Sequence, residues 1–147
     1  MQDGGIPRRT LLVLGAGALA APVLSTIGCG AAGGQVPSGN IGAGSTSSLA
    51  SGTIRLVSPY SLVVGRDSGG VYAMDLFCTH AGCDMSSDIG ASSILCPCHE
   101  SVFDFAGRVQ QGPARAPLTH YKVTVSASGD MTVNADTPVA STVRTAV

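Results

Sequence analysis

Apolar and polar positions sort the chain into three zones. Residues 11–27 form a mild apolar run, from Leu11 to Ile27, padded with Gly15, Gly17 and several alanines. Residues 30–52 are Gly, Ser, Ala, Thr and Asn with hardly a large apolar side chain. From Thr53 onward, short runs of β-branched and aliphatic residues alternate with turn residues. Ile54-Arg55-Leu56-Val57 and Leu62-Val63-Val64 are separated by Ser58-Pro59-Tyr60, and Arg66-Asp67-Ser68-Gly69-Gly70 has turn composition. Val71-Tyr72-Ala73-Met74-Asp75-Leu76-Phe77 reads as the next strand, Ile94-Leu95 leads into a loop, and Val102-Phe103-Asp104-Phe105 alternates before a turn at Ala106-Gly107-Arg108. Val109 starts a return strand; Tyr121, Val123 and Val125 alternate with Lys122 and Thr124; Ser128-Gly129-Asp130 turns into Met131-Thr132-Val133. His120 lies on this strand and reads as a surface or hydrogen-bonded strand histidine. No useful helix is predicted after the apolar run. The pattern predicts an all-β domain of short antiparallel strands over residues 53–136, two loops at one end, and a C-terminal tail, 137–147.

Composition narrows the picture. Of 147 residues, 4% are aromatic and none is Trp, so large side chains supply little buried area. A folded unit of this size gains from covalent or metal staples. Eight basic and nine acidic residues give a net charge of −1, which argues against a phosphate-tracking surface and a nucleic-acid partner.

The first 29 residues read as an address. Pro7-Arg8-Arg9-Thr10-Leu11-Leu12 sets two arginines ahead of the apolar run and resembles a twin-arginine export signal. Thr26-Ile27-Gly28-Cys29 resembles a bacterial lipobox, with a small residue before the cysteine to be acylated; the alternative is an uncleaved anchor near the lower length limit for crossing a bilayer. Either route exports the domain and tethers it at the outer face of the membrane. Residues 30–52 cannot bury enough surface to offset their ordering entropy and are expected to be a flexible Gly/Ser linker with a root-mean-square span of roughly 25 Å.

The chemistry concentrates in two short stretches, Cys78-Thr79-His80-Ala81-Gly82-Cys83 and Cys96-Pro97-Cys98-His99-Glu100-Ser101. Each holds a Cys and a His at metal-ligand spacing, plus a further Cys. Two thiolates and two imidazoles could hold one tetrahedral zinc, and spacing does not exclude a structural zinc module.

The pattern C-x-H-x-G-C followed by C-P-C-H-x-S resembles the Rieske iron–sulfur motif, including Gly82, Pro97 and Ser101. The resemblance implies a Rieske-type antiparallel β-sandwich carrying one [2Fe–2S] cluster, with Cys78 and Cys96 on the inner iron and His80 and His99 on the outer iron. It further implies a disulfide between Cys83 and Cys98 bracing the two loops, a bond that an oxidising, exported compartment would preserve. Replacing two thiolates by neutral imidazoles makes the cluster less negative and its potential higher. Ser101 matches the family serine whose hydroxyl donates to a cluster sulfide, and Gly112-Pro113-Ala114 resembles the segment that covers the cluster. Phe103 stands where high-potential members carry a Tyr, and Glu100 where Gly is usual. Both departures imply a potential in the middle of the Rieske span of roughly −150 to +300 mV.

Three function classes follow. The main expectation is electron transfer by a membrane-tethered carrier or a small subunit of a larger oxidoreductase, with a redox protein such as a cytochrome as partner. The alternative is the quinol-oxidising subunit of a cytochrome bc-type complex, against which stands Ala81 in place of a shielding Leu. An oxygenase component is not expected, because no catalytic iron domain is apparent.

Overall fold

The computed structural model describes residues 35–147. The export segment, Cys29 and the start of the linker lie outside the described residues. Among the described residues the only helical element is a short 3-10 turn, Thr46–Ser48, and no helix is long and apolar enough to cross a membrane.

Nine strands form two antiparallel sheets. In chain order they are β1 (Asn40–Ser45), β2 (Thr53–Leu56), β3 (Leu62–Asp67), β4 (Gly70–Asp75), β5 (Ser93–Leu95), β6 (Val102–Asp104), β7 (Val109–Gln111), β8 (His120–Val125) and β9 (Asp130–Val139). The larger sheet runs β1-β9-β8-β4-β3-β2, and the smaller runs β5-β6-β7. The all-β antiparallel expectation holds.

β3 and β4 explain how the two sheets share one molecule. Leu62 and Val64 of β3 and Val71 and Ala73 of β4 enter a core with Ile41, Val123, Met131 and Val133. The intervening Val63, Tyr72 and Met74 point the other way, into a second core with Leu76, Met85, Ile94, Phe103 and Leu118. Strands buried on both faces read as continuous apolar runs, as these do. Tyr72 ties the two halves together. Its ring lies across Gly65, where an added Cβ would fall 2.3 Å from it, and its hydroxyl donates to the Phe105 carbonyl at 2.7 Å.

Two sequence expectations are corrected. The linker reading of residues 30–52 fails over Asn40–Ser45, which pairs with β9 and buries Ile41 and Ala43. Arg55 then spans the gap between the edge strands β1 and β2, donating to the Ala43 carbonyl and to Ser48 Oγ. The tail reading of 137–147 also falls short. β9 runs on to Val139, Thr145 exchanges backbone hydrogen bonds with Val71, and Arg144 pairs with Asp67 at 2.6 Å while lying 4.0 Å from the Tyr72 ring centroid.

Candidate metal centre

The two Cys/His stretches become loops with the same internal geometry. In the first, the Cys78 amide donates to the Cys83 carbonyl at 2.9 Å and the Gly82 amide to the Cys78 carbonyl at 2.7 Å. In the second, the Cys96 amide donates to the Ser101 carbonyl at 2.8 Å and the Glu100 amide to the Cys96 carbonyl at 3.0 Å. Both turns need a left-handed residue at their fifth position. Gly82 supplies it at φ +73°, and Glu100 occupies the equivalent place at φ +60°, where a side chain is disfavoured.

Strand alternation aims the thiols inward. Leu76 and Cys78 face the second core, as do Ile94 and Cys96, and each of the four is 1% exposed or less. Cys78 and Cys96 are both free thiols. Burial pushes the Cys96 thiol up, and the neighbouring Cys78 adds to that shift. The partly buried neighbours Ile89 and Phe105, with the buried Phe103, complete an apolar floor.

The histidines take the opposite side. His80 and His99 are exposed, and their rings meet edge to face with centroids 4.9 Å apart. A disulfide joins Cys83 to Cys98, with their Cα atoms 6.6 Å apart. The sulfurs of Cys83, Cys96 and Cys98 lie within 4.8 Å of one another, but two of them are consumed in the disulfide, which rules out a three-thiolate site. What remains is two buried thiols and two exposed imidazoles on facing loops. That donor set fits a two-iron cluster with chemically different ends.

Residues 111–116 cover both loops. Gln111 Nε2 donates to the Glu100 carbonyl at 3.1 Å, the Ala114 amide donates to Ser101 Oγ at 3.0 Å, and Thr79 Oγ1 donates to the Ala116 carbonyl at 2.7 Å. Ser101 is fully buried, and because its Oγ accepts from the Ala114 amide its hydroxyl proton remains free to donate. Sequence reasoning picked out Ser101 and the Gly112-Pro113-Ala114 segment, but not Thr79 and Gln111, which fasten that segment. Nothing in a lone Thr or Gln marks such a contact. It also missed Ser61, whose buried hydroxyl donates to Asp84 just after the disulfide. His120 is not on the surface: it is 2% exposed, with Nδ1 at 2.8 Å from the Leu118 carbonyl.

Comparisons with known proteins point to one family. Residues 41–122 match the model of the Rieske [2Fe–2S] domain. The chain is 41% identical over 71 residues to the iron-sulfur subunit of the cytochrome b6-f complex from Synechococcus sp. (strain CC9605), covering 48% of this chain and 39% of that one. To the same subunit from Gloeobacter violaceus it is 44% identical over 55 residues, covering 37% and 30%. It therefore spans well under half the length of these relatives. Among solved structures, a chain from the complex of reduced oxygenase and oxidized ferredoxin in carbazole 1,9a-dioxygenase superimposes with a TM-score of 0.50 at 26% identity, covering 71% of this chain and all of that one. A quaternary ammonium Rieske monooxygenase shares the fold, with a TM-score of 0.52 at 20% identity, covering 69% of this chain and 34% of that one. With more than half its length matched by the family model, the chain belongs to the Rieske [2Fe–2S] domain family, whose domain carries one [2Fe–2S] cluster.

Proposed function

We propose that the protein is an exported, membrane-tethered electron-transfer domain, working as a carrier or as a small subunit of a larger oxidoreductase. The observation that carries this reading is the pairing of two buried thiols with two exposed imidazoles across disulfide-joined loops. Cys78 and Cys96 hold the inner end of the cluster, His80 and His99 the outer end. The cluster supplies one-electron chemistry. The chain's own residues set its conditions. The apolar floor excludes water beneath the thiols, Ser101 donates its hydroxyl hydrogen bond toward the cluster, and the exposed rings put the electron within reach of a partner. The domain is taken to run from the start of β1 to the paired tail residue Thr145. Potentiometry of the holo-protein tests the reading: a reversible one-electron wave is expected, and single Ala replacements at each of the four ligands should lose iron. A His99→Ala variant with full iron content would show the ligand set to be wrong.

Export rests on the paired arginines and on the disulfide, which an oxidising compartment maintains. Mass spectrometry of the mature N-terminus distinguishes a lipidated Cys29 from an intact Met1. A second reading, a quinol-oxidising subunit of a cytochrome complex, is favoured by the named b6-f relatives. Ala81 offers little shielding at the exposed tip, and the buried Phe103 carries no hydroxyl to raise the potential. Co-purification of the tethered protein separates the two: a stable cytochrome complex that is reduced by quinol through this domain supports the second.

A further inference from the structure

The tip of the molecule carries two charges that the fold does not use. Glu100 follows the exposed His99 and holds a left-handed conformation that its counterpart in the first loop meets with Gly82. Its main chain is fastened twice, through its amide to the Cys96 carbonyl and through its carbonyl to Gln111, yet its exposed carboxylate has no partner among the described residues. Arg115 is exposed between Ala114 and Ala116, which are bonded to the second and first loops, and its guanidinium is equally unpartnered. The one ion pair among the described residues, Arg144–Asp67, lies elsewhere, at the β3–β4 turn.

A side chain at a position that prefers glycine, contributing no contact to the fold, points to a role outside it. On the reading that electrons leave through the histidine tip, we infer that Glu100 selects the redox partner: its carboxylate engages a cationic side chain, Lys or Arg, on a partner protein. A fixed carboxylate beside the exit point raises encounter rates with a cationic surface and suppresses anionic ones, and the effect weakens with salt. The same carboxylate opposes entry into an apolar, membrane-embedded pocket, where it would be stripped of water.

The test oxidises the reduced holo-protein with two inorganic probes, tris(phenanthroline)cobalt(III), charge +3, and ferricyanide, charge −3. In each case one electron passes to the probe, giving cobalt(II) or ferrocyanide, and no bond is made or broken in the protein. The ratio of the two rate constants cancels, to first order, any change in cluster potential. At about 10 mM ionic strength, Glu100→Gln is expected to lower the cation-to-anion ratio roughly tenfold, with the difference vanishing near 1 M salt. Glu100→Asp should keep the ratio. Asp130→Asn, an exposed carboxylate on the β8–β9 turn, should also leave it unchanged. With a lysine-rich c-type cytochrome as the protein oxidant, Glu100→Gln should slow the reaction several-fold at low salt. Glu100→Gly separates charge from backbone: it should melt at a higher temperature and still show the lowered ratio. A ratio unmoved by Glu100→Gln, or moved equally by Asp130→Asn, overturns the inference. The EPR signal of each variant is recorded first, because its absence from the parent protein would overturn the cluster reading itself, whereas an intact signal with an unmoved ratio overturns only the partner-selecting role.

Discussion

The fully buried hydroxyl of Ser101 accepts a hydrogen bond from the Ala114 amide at 3.0 Å, so one side chain connects the second loop to the segment that covers it. Replacing Ser101 with Ala leaves the amide of Ala114, a residue 4% exposed, without its acceptor. A buried unsatisfied amide costs about 1–3 kcal/mol. The same change removes the donor available to the cluster, so the reduction potential should fall. Denaturant melts and potentiometry on Ser101→Ala should show both effects. A potential equal to that of the parent would mean the hydroxyl does not donate to the cluster.

Phe103 offers the complementary change. It is fully buried opposite Ile94, in the core shared with Cys78 and Cys96. A hydroxyl added there by Phe103→Tyr is expected to raise the potential by donating to a ligand sulfur. Potentiometry decides this; an unchanged potential would show that the missing hydroxyl has no bearing on where this centre sits in the family range.

The Cys83–Cys98 bond is the covalent link between loops that otherwise meet through the His80–His99 ring contact and the covering segment. A cross-link closing a loop of this length contributes about 3 kcal/mol by restricting the unfolded chain. The double variant Cys83→Ser, Cys98→Ser should therefore unfold at markedly lower denaturant, and should lose visible absorbance and iron faster than the parent on dilution into chelator. Equal rates of iron loss would show that the bond does not hold the loops around the cluster.

His120 predicts a pH dependence. Nδ1 meets the Leu118 carbonyl, Nε2 is buried without a hydrogen-bond partner, and the ring packs 5.9 Å from that of Tyr72. Burial lowers its pKa; the nearby Arg144 acts in the same direction, and the Leu118 carbonyl opposes. The unfolded chain takes up a proton near pH 6.5 that the folded protein refuses. Stability should therefore be full above that pH and decline below it, by at most about 1.4 kcal/mol per pH unit until the folded group titrates. The urea midpoint at pH 5.5 should fall relative to pH 7.5 in the parent, and His120→Leu should reduce that difference. An identical pH response in the variant would assign the loss to other groups.

The two loops were legible because everything that makes them lies within six residues each: ligand types, Gly82 and Pro97 are local features. β3 and β4 were legible because burial on both faces gives unbroken apolar runs. β1 was not. Its inward positions are Ile41 and Ala43, alternating with Gly42 and Gly44, so the period-2 signal is present but carried by side chains too small to stand out from the Gly/Ser stretch around them. The tail escaped for a different reason: Arg144 and Thr145 are held by Asp67, Tyr72 and Val71, some seventy residues distant, and no local pattern records such a contact. For His120 the strand pattern left surface and hydrogen-bonded placements open; alternation with Tyr121 and Val123 assigns it a face but not what covers that face, and the β6–β7 turn at Gly107 does so.

The most direct test of the central claim is low-temperature EPR of the reduced, purified holo-protein, with iron and inorganic sulfide determined on the same sample. The account predicts two irons and two sulfides per chain and a single spin with the low average g value of a cluster ligated by both histidine and cysteine. A colourless, EPR-silent protein holding one zinc at Cys78, His80, Cys96 and His99 would contradict it.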